Sequence, residues 1–259
     1  MSQHVVFITG ASSGIGQATA LKLVKVGYHV IGTARRLERL HALAEQISND
    51  PDLRGEFLPV PCDVRDSESV EAAVNRAVDH FGQIDVLIAN AGVGHRGGLV
   101  SAEWQDLETV MRTNMDGVLH SIRAVAPVMQ AQKSGHIVLI SSVTYNMTAP
   151  YSAIYAASKA FVSSMGRSLR MEFREDGILI TDMLVGRTES EFDERRLGGG
   201  RRSASGLSVM SADVVAQGIL DALEKPRRAV ALRWIDRLML LGNLLVPDLI
   251  GRRSMRHYK

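Results

Sequence analysis

Over its first 184 residues the chain alternates between short β-branched apolar runs and longer stretches with apolar side chains at helical spacing. The runs at residues 4–9 (HVVFIT), Tyr28–Thr33, Asp85–Ala89, His136–Ser141 and Ile178–Leu184 predict strands. A third strand precedes Asp63 in the chain, and a last one is expected near Ala229–Leu232. After the first strand, Ala18, Leu21, Leu23, Val24 and Val26 mark one face of a helix. This alternation predicts an α/β fold: a doubly wound parallel sheet of about seven strands, helices on both faces, right-handed crossovers. At 259 residues one such domain accounts for the chain, with no internal repeat. In such sheets ligands bind beyond the carboxyl ends of the strands.

The first strand runs into Gly10-Ala11-Ser12-Ser13-Gly14-Ile15-Gly16. Strand, glycine-rich turn, helix is the setting in which backbone wraps a pyrophosphate. Gly10 permits the tight turn, Gly14 lets backbone approach a phosphate, and Gly16 lets the helix pack closely on the strand. The helix N-terminus adds unpaired N–H groups and a positive dipole end. The spacing is G-x-x-x-G-x-G rather than G-x-G-x-x-G, and a structural tight turn would carry similar glycines. The second strand leads into Ala34, Arg35 and Arg36. A carboxylate there would bind the ribose hydroxyls of NAD, whereas guanidiniums match a 2′-phosphate with bidentate bonds. The arginines predict NADP(H) over NAD(H); the plainer alternative is two solvated residues opening the next helix.

Candidate proton chemistry lies in YSAIYAASKAF, where Tyr155 and Lys159 share a helix face four residues apart. Of the five tyrosines only Tyr155 has a lysine at that spacing. A free phenol titrates at ~10 and exchanges protons poorly near neutrality. A neighbouring cation lowers that value toward the useful range. A surface pair that merely stabilises a helix is the bland reading. Ser142 lies thirteen residues before the tyrosine, at a strand end.

Composition adds bounds. Hydrophobic residues make up 46% and charged ones 22%, as in soluble globular proteins. A net charge of +2 does not suggest nucleic-acid binding, and no metal-ligating set stands out. The single cysteine, Cys62, suits a reducing cytoplasm and reads as a packed side chain rather than a nucleophile. No secretory signal is read at the start of the chain.

Together these motifs resemble the short-chain dehydrogenase/reductase family, in its compact single-domain branch, from about residue 4 to residue 192. Thr9 through Gly16 looks like its cofactor turn on a Rossmann-type fold. Asp63-Val64 looks like its adenine-contacting pair, and Asn90-Ala91-Gly92 like the motif that supports the sheet and lines the cofactor cleft. Asn114 falls where the family has an active-site asparagine, and Ser142, Tyr155 and Lys159 complete the set. The resemblance implies hydride transfer between NADP(H) and a small carbonyl or secondary alcohol. Tyr155 would be the general acid/base. Lys159 would lower its pKa and hold the nicotinamide ribose, Ser142 would bond the substrate oxygen, and Asn114 would anchor a relay water. The family also implies a homodimer or homotetramer. One departure is Val185-Gly186-Arg187-Thr188-Glu189-Ser190, where Pro-Gly and a later threonine are usual. Val185 loses proline's fixed φ, keeps its backbone groups for the nicotinamide amide, and leaves Gly186, Thr188 and Ser190 as neighbouring contacts.

The remainder is less specific. Residues 186–210 are polar and glycine-rich and are placed to cover substrate, with Gly198-Gly199-Gly200 allowing movement. Arg195, Arg196, Arg201 and Arg202 read as solvated, with an anionic substrate as the alternative. Trp234–Gly251 is apolar and Arg252–Lys259 basic, but charges and Pro247 exclude a membrane span. Covering the pocket or a subunit interface is favoured for this segment over lying on an anionic membrane. A non-catalytic NADP-binding sensor and a membrane-attached lipid, retinoid or steroid reductase remain the rival readings.

Overall fold

The structure, a computed structural model, describes residues 4–189, 191–192, 194–200 and 209–255. Seven parallel strands form one sheet: β1 Val5–Thr9, β2 His29–Ala34, β3 Phe57–Pro61, β4 Val86–Ala89, β5 Gly135–Ser142, β6 Ile178–Val185 and β7 Ala229–Val230. Their order is β3-β2-β1-β4-β5-β6-β7, the doubly wound sheet that the alternation implies. The strand order reverses between β1 and β4, which opens a crevice at the carboxyl ends of these neighbours.

Helices α1 (Gly14–Lys25), α2 (Leu37–Ser48) and α7 (Ala212–Glu224) cover one face, and α3 (Ser67–Phe81), α5 (Gly117–Gln132) and α6 (Ala153–Glu172) the other. Period-two alternation divides the strands between two cores. Val5 and Phe7 pack toward α3 and α5, while Val6 and Ile8 pack toward α1 and α7. All four are essentially inaccessible, so both faces of β1 are dry, which is why its sequence reads as a continuous apolar run.

Two differences from the sequence reading matter. The last strand pairs through only two residues, Ala229 and Val230, because the chain then leaves the sheet for α8 (Trp234–Leu245). The C-terminal apolar run is split in two, with α9 (Pro247–Met255) beginning at the proline, whose missing N–H costs nothing in a first helical turn. Between α4 (Trp104–Met111) and α5, residues Arg112–Asp116 form a π-helical turn that no sequence period announces. Such bulges recur at functional sites, and this one carries Asn114.

Candidate active site

A cleft of about 1090 Å³ opens at the carboxyl ends of the strands. All the candidate catalytic and cofactor-binding residues named from the sequence that lie among the described ones line it, except Gly16 and Asn114, which sit one layer behind. Ser190, Arg201 and Arg202 fall outside the described residues.

The glycine turn is shaped as its composition requires. Gly10 and Gly14 have φ of 71° and 55°, where a side chain would be strained. A Cβ on Gly16 would overlap the Gly10 carbonyl oxygen, so only glycine allows α1 to approach β1 this closely. Ser13 precedes α1 without capping it, and its hydroxyl instead accepts a bond from Arg36 at 2.9 Å. The first N–H groups of α1 therefore have no side-chain cap, the arrangement an anion can fill. Ser12, Ile15 and Arg35 line the same end of the cleft.

Asn90 ties the ends of β1 and β4 together. Its amide donates to the carbonyls of Thr9 and Gly10 at 2.9 and 3.1 Å, and Thr9 Oγ1 accepts from the Asn90 and Ala91 N–H groups, each at 3.0 Å. Asp63 binds Arg65 through both carboxylate oxygens, and that pairing holds its carboxyl below the usual range. Val64 beside it offers its carbonyl to His120 Nδ1. Cys62 is packed as expected, and burial pushes its thiol up to about 11, far from a nucleophilic thiolate.

The candidate proton-handling groups Ser142, Tyr155 and Lys159 line the same cleft near the ends of β5 and β6. Lys159 is 4% exposed; its Nζ donates to the Ile140 carbonyl at 2.8 Å and lies 5.9 Å from the Tyr155 ring centre. Burial lowers its pKa to about 8, opposed by the nearby Asp182 carboxylate. Ser142 pairs in register with Val185 across β5 and β6. Its Oγ accepts from Thr144 N–H and Thr144 Oγ1, at 3.2 and 3.0 Å, so its own proton is left to donate. The local bonds to Thr144 thus leave this serine able to donate into the cleft.

Asn114 is fully buried, and both of its amide N–H groups are engaged. It accepts from Val93 N–H at 2.8 Å and donates to the Val93 carbonyl and Ser158 Oγ at 2.9 and 3.0 Å; Ser158 in turn donates to the Tyr155 carbonyl. A Cβ on Gly92 would sit 3.3 Å from Asn114 Oδ1 and 3.6 Å from Lys159 Nζ, so this glycine keeps the space between them open.

The loop after β6 is more tightly held than its glycines suggest. Leu197 exchanges backbone bonds with Gly94 and Arg96, Gly200 donates to the Arg96 carbonyl, and Gly198 to Asp106. Gly198–Gly200 thus sit in a stitched corner rather than a free hinge. Thr188 caps the Gly186 carbonyl at 3.1 Å. Phe192 lies tilted against Tyr155, ring centres 5.7 Å apart.

Several cleft residues carry no sequence signal. His95, 2% exposed, has an Nε2 without a protein partner among the described residues. The Arg233–Asp236 ion pair packs directly on Gly186, where any side chain would collide with it. Glu191 pairs with Arg36, Arg39 and Arg195. Met239 and Ile250 bring α8 and α9 to the cleft wall. Arg233, Asp236, Met239 and Ile250 lie far from the motifs in sequence, and only the fold brings them to the cleft.

A family model described as short chain dehydrogenase matches residues 4–197. The chain belongs to the short-chain dehydrogenase family. An uncharacterized oxidoreductase of Staphylococcus haemolyticus is 33% identical over 226 residues, covering 87% of this chain and 93% of that protein. A short-chain dehydrogenase/reductase of Burkholderia phymatum, solved with NAD, superposes with a TM-score of 0.84 at 24% identity, covering 96% and 95% of the two chains. The closed form of a serine dehydrogenase complexed with NADP+ has a TM-score of 0.78 at 25% identity, covering 87% and 93%. This member of the family is accordingly an oxidoreductase with a nucleotide-binding Rossmann-type fold.

Proposed function

We propose that this short-chain dehydrogenase is an NADP(H)-dependent carbonyl reductase or alcohol dehydrogenase acting through Tyr155, Lys159 and Ser142. The observation that carries the reading is the buried Lys159 ammonium beside the Tyr155 ring in the cleft, with the Ser142 hydroxyl lining the same wall. The fit to a dinucleotide rests on the glycine turn, which side chains would fill, and on the uncapped start of α1.

When bound, reduced nicotinamide supplies the hydride that the carbonyl carbon receives. The residues manage the oxygen. Tyr155 gives its phenolic proton to that oxygen in reduction, or takes the alcohol proton in oxidation. Ser142 donates to the oxygen as charge develops, its lone pairs already engaged by Thr144. With a pKa near 8, Lys159 stays cationic at neutral pH and favours the phenolate. Asn114 fixes Val93 and Ser158 around the lysine and supports a relay water toward solvent. Val185, Gly186 and Thr188 face the nicotinamide end, and Asp63, Val64, Asn90, Ala91 and Gly92 the rest of the cofactor.

NADP(H) is favoured by Arg35 and Arg36 at the cleft, by the absence of a carboxylate at the end of β2, and by the serine dehydrogenase relative holding NADP+. The buried Cys62 suits a cytoplasmic setting. Replacing Tyr155 with Phe should abolish turnover of ketones, aldehydes or sugars in an NADPH-consumption panel while NADPH binding persists. Turnover retained by the variant rejects the assignment.

A further inference from the structure

Helix α8 is built inside out. Two of its polar residues face the protein: Asp236, fully buried, accepts two bonds from Arg233, and Asn243 donates to the Asn146 carbonyl at 2.6 Å and accepts from Thr148 N–H at 2.9 Å. Four of its large apolar residues face outward, with Trp234, Leu238, Leu241 and Leu245 each more than half exposed. At 100° per residue those four fall within an arc of about 60°, roughly opposite Asp236 and Asn243. Leu244, Val246 and Leu249 carry the exposed apolar surface onto α9. A helix of a soluble protein normally turns its apolar stripe inward, and a contiguous patch turned outward marks a surface that meets something.

Charge selects the occupant. Arg237, Arg252 and Arg253 are exposed on the same two helices, beside one exposed carboxylate, Asp248, and Arg253 also borders the cleft. From residue 233 onward six basic residues face two acidic ones, an excess larger than the net +2 of the whole chain, so the rest of the protein is acidic overall. Two copies pressed together through this face would bring two cationic clusters against each other, whereas anionic headgroups complement them. No described helix is long and apolar enough to cross a membrane. A tryptophan and leucines on one side of a short helix, with arginines beside them, are suited to the boundary between headgroups and acyl chains.

We propose that α8 and α9 dock this protein on the surface of an anionic lipid bilayer. Trp234, Leu238, Leu241 and Leu245 enter the interface, and Arg252 and Arg253 meet the headgroups. The inner sides of the same helices line the cleft through Met239 and Ile250, so the docked protein holds its cleft wall against the lipid. Docking does not depend on which reaction the cleft performs.

The test is co-sedimentation of the full-length protein with phosphatidylcholine vesicles prepared with and without phosphatidylglycerol, alongside sedimentation-equilibrium mass in solution. Binding is expected only to phosphatidylglycerol vesicles and should weaken with added salt. Leu241→Asp with Leu245→Asp should abolish it, and Arg252→Ala with Arg253→Ala should weaken it roughly tenfold or more, with solution mass unchanged in both. Absence of wild-type binding, or equal binding to phosphatidylcholine alone, overturns the proposal. So does a loss of oligomer mass in the leucine variant, which would make the face a subunit interface. The wild-type measurements decide the matter even if a variant fails to fold.

Discussion

Arg36 and Glu191 meet as an ion pair at 3.3 Å although 155 residues separate them in the chain. Arg39 and Arg195 reach the same carboxylate, and the bond from Arg39 leads in holding Glu191 below the usual carboxylate range. The Glu191 carboxylate thus occupies the Arg36 guanidinium just past the end of β2, where the proposed function has a 2′-phosphate read. Glu191→Gln removes that competitor and should tighten NADPH binding several-fold with little change for NADH. Arg36→Ala should cost NADPH roughly tenfold or more, the scale of a charge-assisted bond. Fluorescence titration of both cofactors measures each effect. A Glu191→Gln protein that instead loses NADH affinity would mean that the carboxylate serves ribose hydroxyls and that the cofactor preference is reversed.

The buried Lys159 links the proposed chemistry to stability. Its folded pKa, near 8, lies below the ordinary 10.5, so the unfolded chain binds the extra proton between those values. Holding the buried ammonium costs stability below pH 8, and that cost is relieved as the pH rises toward 10.5. Lys159→Met should abolish turnover and melt at a higher temperature than wild type at pH 7. The difference should narrow through the alkaline range in thermal melts followed by circular dichroism.

Asn114 ties Val93 to Ser158 through buried hydrogen bonds. Asn114→Ala leaves the Val93 N–H and carbonyl and the Ser158 hydroxyl without that partner. A loss of about 1–3 kcal/mol is expected from buried groups left unsatisfied. Denaturant unfolding reads that loss, and kcat should fall more than NADPH affinity.

His136 makes the fold sensitive to acid. Burial lowers its pKa to about 4 from 6.5. Thr181 gives its own proton to the Arg227 carbonyl and so accepts from His136 Nε2 at 2.8 Å, which assigns the neutral tautomer. The stability of keeping this ring neutral is complete above pH 6.5 and is lost as the pH falls toward 4. His136→Gln should flatten the decline in melting temperature over that interval; an unchanged slope would assign the sensitivity to other groups.

Local pattern alone determined the sheet, the glycine turn and the proximity of Tyr155 to Lys159. Each depends on short-range geometry: a two-residue period for strands, steric permission at Gly10 and Gly14, and one helical turn between the tyrosine and the lysine. The same logic reached Ser142, because a residue ending a central parallel strand must open toward the crevice. The tertiary structure alone decided how Glu191 meets Arg36, how Arg233 and Asp236 fill the space beside Gly186, and how Gly198–Gly200 become a stitched corner. Those pairings join segments far apart in the chain, where periodicity says nothing about which partner a polar side chain will find. Helix α8 shows the limit most clearly. Its apolar stripe is plain in the sequence, yet which side faces solvent was settled by the buried bonds of Asp236 and Asn243, since desolvated polar groups must find partners and exposed leucines need none.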